Sequence, residues 1–121
     1  MNLAEYFKKA KGYAILATGD LAGNIDIAMY QKPDVPDEQT IVLTMLQRQS
    51  YTNLQSNPKA ALLFVEEGKL AGRRLYLKMV DEKAEPERIK KLRQNHPTIF
   101  QPAANKHVVT FHIEKVRELS D

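Results

Sequence analysis

Neither cysteine nor tryptophan occurs among the 121 residues. The lack of cysteine excludes disulfides, thiolate zinc sites, iron–sulfur clusters and a catalytic thiol, and it accords with a reducing cytoplasm. Long apolar runs are also missing. No stretch approaches the roughly 20 residues that span a bilayer. The first eleven residues mix polar and apolar side chains and lack the apolar core of a signal peptide. A soluble chain with no membrane partner is expected. Tracts of like charge are absent too: 18 basic side chains face 15 acidic ones, for a net charge of +3. Where charge is densest, Glu82, Glu85 and Glu87 alternate with Lys83, Arg88, Lys90, Lys91 and Arg93, the pattern of a solvated helix face. No aromatic–basic interleaving or zinc-finger spacing appears, so nucleic acid is not an expected partner.

The content that remains is that of one globular domain over residues 1–121, with 43% hydrophobic residues to build its core. Asn2 can cap a short helix over Leu3–Ala10, with Leu3, Tyr6, Phe7 and Ala10 on one face and Gly12 ending it. Tyr13–Gly19 and Ile25–Tyr30 read as two strands joined by the turn Asp20–Asn24, an antiparallel hairpin. Pro33, Asp34, Pro36 and Asp37 make residues 31–39 a loop.

Thr40–Leu46 is an apolar, β-branched strand. Ser50 stands where it can cap a helix over Tyr51–Ser56, which Asn57–Pro58 stops because proline disfavours the helical conformation of the residue before it. Ala60–Val65 is continuously apolar, which predicts a strand covered on both faces. Beyond the loop Glu66–Ala71, the segment Arg73–Val80 alternates, with Leu75, Leu77 and Met79 on one side and Arg74, Tyr76 and Lys78 on the other. Pro86 suits the first turn of a helix running to about Asn95, and Pro97 and Pro102 bracket an irregular loop. The last strand, Val108–Val116, turns Val109, Phe111 and Ile113 inward. Six strands in hairpin-like groups and three short helices predict a mainly β architecture, an antiparallel barrel with helical insertions.

Chemistry is most legible in residues 41–61, IVLTMLQRQSYTNLQSNPKAA. A buried strand there runs through a short polar turn, Gln47–Ser50, straight into a helix. A helix opens with unpaired N–H groups and a partial positive charge. With a guanidinium, an amide and a hydroxyl beside it, such a turn can hold an anion, and phosphate suits it. Taken alone, the turn reads more simply, with Ser50 as a plain helix cap and Arg48 as a surface side chain. The three histidines, His96, His107 and His112, read as surface or loop residues. The odd spacing of His107 and His112 sends them to opposite faces, against joint ligation of a metal. Met29, Met45 and Met79 read as core or cleft lining. Neither a Walker pattern nor a nucleophile–base pair nor a carboxylate pair appears, and no catalytic residue is assigned.

The order of these elements resembles the pyridoxamine 5′-phosphate oxidase-like family of FMN-binding split barrels. The resemblance is carried by Arg48-Gln49-Ser50-Tyr51-Thr52-Asn53-Leu54, then Asn57-Pro58-Lys59-Ala60-Ala61-Leu62-Leu63. Upstream it is carried by Ala14–Thr18 followed by Asp20, Gly23 and Asn24, and downstream by Val108–Leu119. It implies a six-stranded antiparallel split β-barrel that forms a homodimer with FMN in interfacial clefts. It also implies that Arg48, Gln49, Ser50 and Tyr51 hold the phosphate, while Ala28, Met29, Tyr30, Thr44, Met45 and Leu46 lie along the ring system. The implied function is that of a small flavin-dependent oxidoreductase. The alternative is a non-catalytic module: a flavin carrier, a haem or F420 binder, or a split barrel without cofactor. Gln49 stands where members of the family often carry Arg or Lys, Ile25 where proline is common, and Met79 where a glycine often follows the basic residue.

Overall fold

The computed structural model describes residues 2–46, 49–84 and 106–119. The expected helix from Pro86 to Asn95, the loop bracketed by Pro97 and Pro102, His96 and Arg48 lie outside the described residues. Within them, seven strands and two helices follow one another as α1 (Leu3–Lys9), β1 (Gly12–Gly19), β2 (Ile25–Gln31), β3 (Asp34–Asp37), β4 (Thr40–Leu46), α2 (Gln49–Ser56), β5 (Lys59–Glu66), β6 (Gly72–Ala84) and β7 (Lys106–Glu118). They form one antiparallel sheet in the order β2-β1-β5-β6-β7-β4-β3.

The helices bend this sheet into a half-barrel. α1 leads into β1 at one end of the sheet yet packs on β3 at the other, and α2 leaves β4 but packs over β1 and β2. The two ends of the sheet are therefore drawn around a common core. Leu16, Ile41, Met45, Leu62, Phe64, Leu75, Leu77, Val109 and Phe111 fill that core, each all but fully buried. Inward side chains recur at every second residue of β1, β4, β5 and β7, as a pleated strand requires.

Local chemistry sets the ends. Asn2 caps α1, its side-chain oxygen accepting from the Glu5 N–H at 2.8 Å. Glu38, in the β3–β4 turn, accepts the N–H groups of Leu3 and Ala4 at 2.6 and 2.8 Å, so the far edge of the sheet completes the same cap. Gly12 opens β1 beyond the end of α1 and must be glycine, because a Cβ there would lie 2.0 Å from the Val65 carbonyl oxygen. Gly72 meets the same constraint against the Phe64 carbonyl oxygen at 1.8 Å.

Four expectations change. Residues 34–37 form a strand despite Pro36, because β3 is the sheet's edge and a residue without an N–H is tolerated there. That edge strand is the seventh. α2 begins at Gln49, so Ser50 lies inside the helix, 2% exposed, and is not its cap. β6 runs on to Ala84 with a register shift between Met79 and Asp81, and β7 starts at Lys106. His107 is consequently a strand residue and not a loop one.

Candidate functional site at the opening of α2

Beyond β4, α2 lies across the inner face of β1 and β2. A buried polar chain fixes it there. Gln49 donates its side-chain amide to the Asn53 Oδ1 at 2.8 Å, and Asn53 donates to the Thr18 Oγ1 at 3.1 Å. Asn53 and Thr18 are each 3% exposed, so this polar pair is satisfied inside the core. Thr18 pairs across the sheet with Asp26, and the Ser50 hydroxyl donates to the Asp26 Oδ2 at 3.4 Å. The first turn of α2 thus stands over a carboxylate.

Further along, α2 meets β6 and β7. Tyr51 stacks on His107 and donates its hydroxyl to the Glu82 Oε1, while Gln55 donates to the Glu82 Oε2 at 2.8 Å. The His107 Nδ1 lies 3.8 Å from the same carboxylate. The hydrogen bond to Glu82, aided by burial and by the carboxylate's charge, pushes the Tyr51 phenol up to about 12. The Tyr51 hydrogen bond in turn holds Glu82 below the usual carboxylate range against the opposing effect of burial, with Gln55 and His107 adding to it. The His107 Nε2 is buried without a hydrogen-bond partner among the described residues.

Glu82, Gln55, Asn53, Asp26 and Thr18 are the polar residues here that sequence reasoning did not single out as functional. The register shift in β6 explains Glu82. Strict alternation from Leu75, Leu77 and Met79 sends even-numbered residues outward, whereas the irregularity at Val80 reverses the phase and turns Glu82 in beside Val109.

The residues expected to hold a cofactor are gathered only in part. Gln49 and Ser50 open α2, and Ala28 lies half-buried on β2, two residues from Asp26 and on the same face. Tyr30 packs against the core from that face. Met29 points the other way, onto the outer face, and is 69% exposed. Met45 is fully buried, and Thr44 is exposed. Leu46 is the last residue of β4. The Tyr51 hydroxyl is committed to Glu82.

On the outer face, β2, β1 and β5 carry cross-strand rows without charge. Ile27, Ala17 and Ala61 form one, Met29, Ile15 and Leu63 the next, and Gln31, Tyr13 and Val65 a third. Ile25, Ile27 and Met29 are 69–77% exposed. Among the described residues, no three metal-ligating side chains gather, and no helix is long and apolar enough to cross a membrane.

No protein-family model and no curated protein matches the sequence. Solved structures do match the fold. An FMN-binding protein from Syntrophomonas wolfei subsp. wolfei superposes with a TM-score of 0.73 at 18% identity, covering 98% of this chain and 84% of that one. An F420 reductase gives 0.73 at 16% identity over 97% of this chain and 98% of its own. A general stress protein 26-related protein of the pyridoxinephosphate oxidase family, from Clostridium acetobutylicum, gives 0.61 at 16% identity over 94% and 83%. The chain has the pyridoxamine 5′-phosphate oxidase-like split-barrel fold. In this split barrel, the half-barrel drawn closed by α1 and α2 is the arrangement the element order implied. The short edge strand β3 is an addition to the expected six.

Proposed function

We propose that this split barrel binds FMN, with the phosphate at the opening of α2, and serves as a small flavin-dependent oxidoreductase. The observation that carries the reading is the fold, shared over 98% of the chain with an FMN-binding protein and over 97% with an F420 reductase. The local donor set fits the phosphate. The first-turn amides of α2 need acceptors, Gln49 is an exposed residue beside them with its side-chain amide shared with Asn53, and the adjoining strand presents only the small side chain of Ala28. Arg48, immediately before the helix, adds a cation in sequence. Backbone groups of residues 28–30 and 44–46 serve the ring system, which needs no particular side chain from them.

FMN, when bound, supplies the redox chemistry, taking up and releasing a hydride or single electrons. The chain's own task is to bind and orient. The helix dipole and Arg48 offset the phosphate charge, and the Asn53–Thr18 bond keeps the amides of α2 fixed relative to β1. The protein acts as a homodimer in this reading, joined through the apolar outer face of β2, β1 and β5, and its cysteine-free chain suits the cytoplasm. Asp26 against Ser50 favours a second reading, a non-catalytic module that carries flavin, binds F420 or haem, or holds no cofactor.

Reconstitution with FMN followed by gel filtration and an absorption spectrum tests the proposal. A yellow protein with two broad visible bands is expected, and Arg48→Ala should weaken FMN binding about tenfold or more through loss of a charge-assisted hydrogen bond. A protein that stays colourless at saturating FMN rules the reading out. A sharp Soret band with haem, or retention of F420 instead of FMN, selects the second reading.

A further inference from the structure

We propose that Asp26 tunes the charge of this site: its carboxylate, seated under the first turn of α2, lowers the affinity of the site for the phosphate of a bound flavin without abolishing its binding. The inference rests on the placement of phosphate proposed above. Asp26 pairs in register with Thr18, so both side chains lie on the face of β2 and β1 that α2 covers. α2 sits on this pair through two hydrogen bonds, Asn53 to Thr18 at 3.1 Å and Ser50 to Asp26 at 3.4 Å. Ser50 is the second residue of the helix and is 2% exposed, so the carboxylate that it contacts lies within reach of the helix's positive end.

That positive end attracts anions, and here the chain supplies one of its own. A phosphate arriving at the same amides meets a like charge across a short path in a partly desolvated site, where Coulomb repulsion is several times stronger than in water. The ring system carries no such charge and is indifferent to Asp26. The contrast is therefore between FMN and riboflavin, which differ by the phosphate alone.

Asp26→Asn removes the charge while keeping the shape and an acceptor oxygen for the Ser50 hydroxyl. Titration of wild type and variant with FMN and with riboflavin, followed by flavin fluorescence, reads the effect. The expected result is about a tenfold gain in FMN affinity with riboflavin affinity unchanged. Inorganic phosphate should compete with FMN better in the variant. Equal gains for FMN and riboflavin would mark a structural effect and overturn the inference. Unchanged FMN affinity overturns it while leaving the phosphate placement intact. If neither protein binds FMN or inorganic phosphate, the placement itself falls and takes the inference with it. Asp26→Ser, smaller and also neutral, gives the same test if the asparagine variant fails to fold by circular dichroism.

Discussion

Tyr51 and His107 stack with ring centroids 4.1 Å apart and planes 16° from parallel, tying the second helix to the last strand. The phenol of Tyr51 then reaches Glu82 on the neighbouring strand, so one side chain joins three elements. Tyr51→Phe keeps the stacked ring and removes only the hydroxyl. Glu82 retains its bond from Gln55, so the expected loss is modest, about 1 kcal/mol, a value typical of one partly exposed hydrogen bond. Tyr51→Ala also removes the ring and should cost about 3 kcal/mol. Urea unfolding of the two variants separates these contributions, and equal losses would mean that the ring carries nothing.

Glu82 gives the cluster a pH dependence of known sign. Its hydrogen bond from Tyr51 holds the carboxyl below the ordinary value of 4.5. A group depressed in the folded state contributes its stability in full above the unfolded value. It loses that stability as pH falls through the folded value, so the loss begins below about pH 5. Glu82→Gln should therefore be less stable than wild type near neutrality, and the gap should narrow on acidification. Melting temperatures of both proteins from about pH 7 down to about pH 3 check this. A gap that stays constant with pH would show that the charge of Glu82 contributes nothing.

Much of this architecture is written in local pattern. The alternation of Val109, Phe111 and Ile113 gave the inward face of β7, and the strand–turn–helix after Leu46 located α2. Elements set by neighbours were hidden. β3 exists because its edge position tolerates Pro36, a fact of sheet order and not of composition. Glu82 is turned inward by an irregularity at Val80 that no residue type announces, and His107 joins a strand because β6 and β4 both pair with it. At the site, the polar turn was legible. The commitments of its side chains were not, because Ser50 finds Asp26 and Asn53 finds Thr18 across 24 and 35 residues of chain.

The Asn53–Thr18 bond, buried beneath α2, makes a prediction of its own. Asn53→Ala strands the Thr18 hydroxyl and leaves Gln49 without its acceptor, at a cost of about 1–3 kcal/mol for an unsatisfied buried group. Thr18→Val removes the acceptor but keeps the volume, and it leaves the Asn53 amide unpaired. In the double variant, both ends of the bond are gone, so the combined loss should fall short of the sum of the single losses. A double-mutant cycle in urea measures this coupling, and strict additivity would show that the two side chains do not interact. The same cycle read by FMN affinity reports how far the seating of α2 matters to the site.

Ile27 tests the proposed dimer. It is 69% exposed on β2, with Ile25 and Met29 exposed on the same face and Ala17 beside it on β1. Three large apolar side chains in a row along one edge strand, backed by Ile15, Ala17, Ala61 and Leu63, make a surface that water wets at a cost. A second copy presents the same uncharged rows, so a two-fold pairing brings no like charges together. Burying each such side chain contributes up to about 1.5–3 kcal/mol. Ile27→Lys places a cation in each half of that contact without disturbing the core, because the side chain faces solvent in the single chain. Light scattering should give twice 13.8 kDa for the wild type and 13.8 kDa for the variant, with unchanged circular dichroism. A wild-type protein that remains at 13.8 kDa at every concentration, with FMN present, would mean that this face serves no second copy.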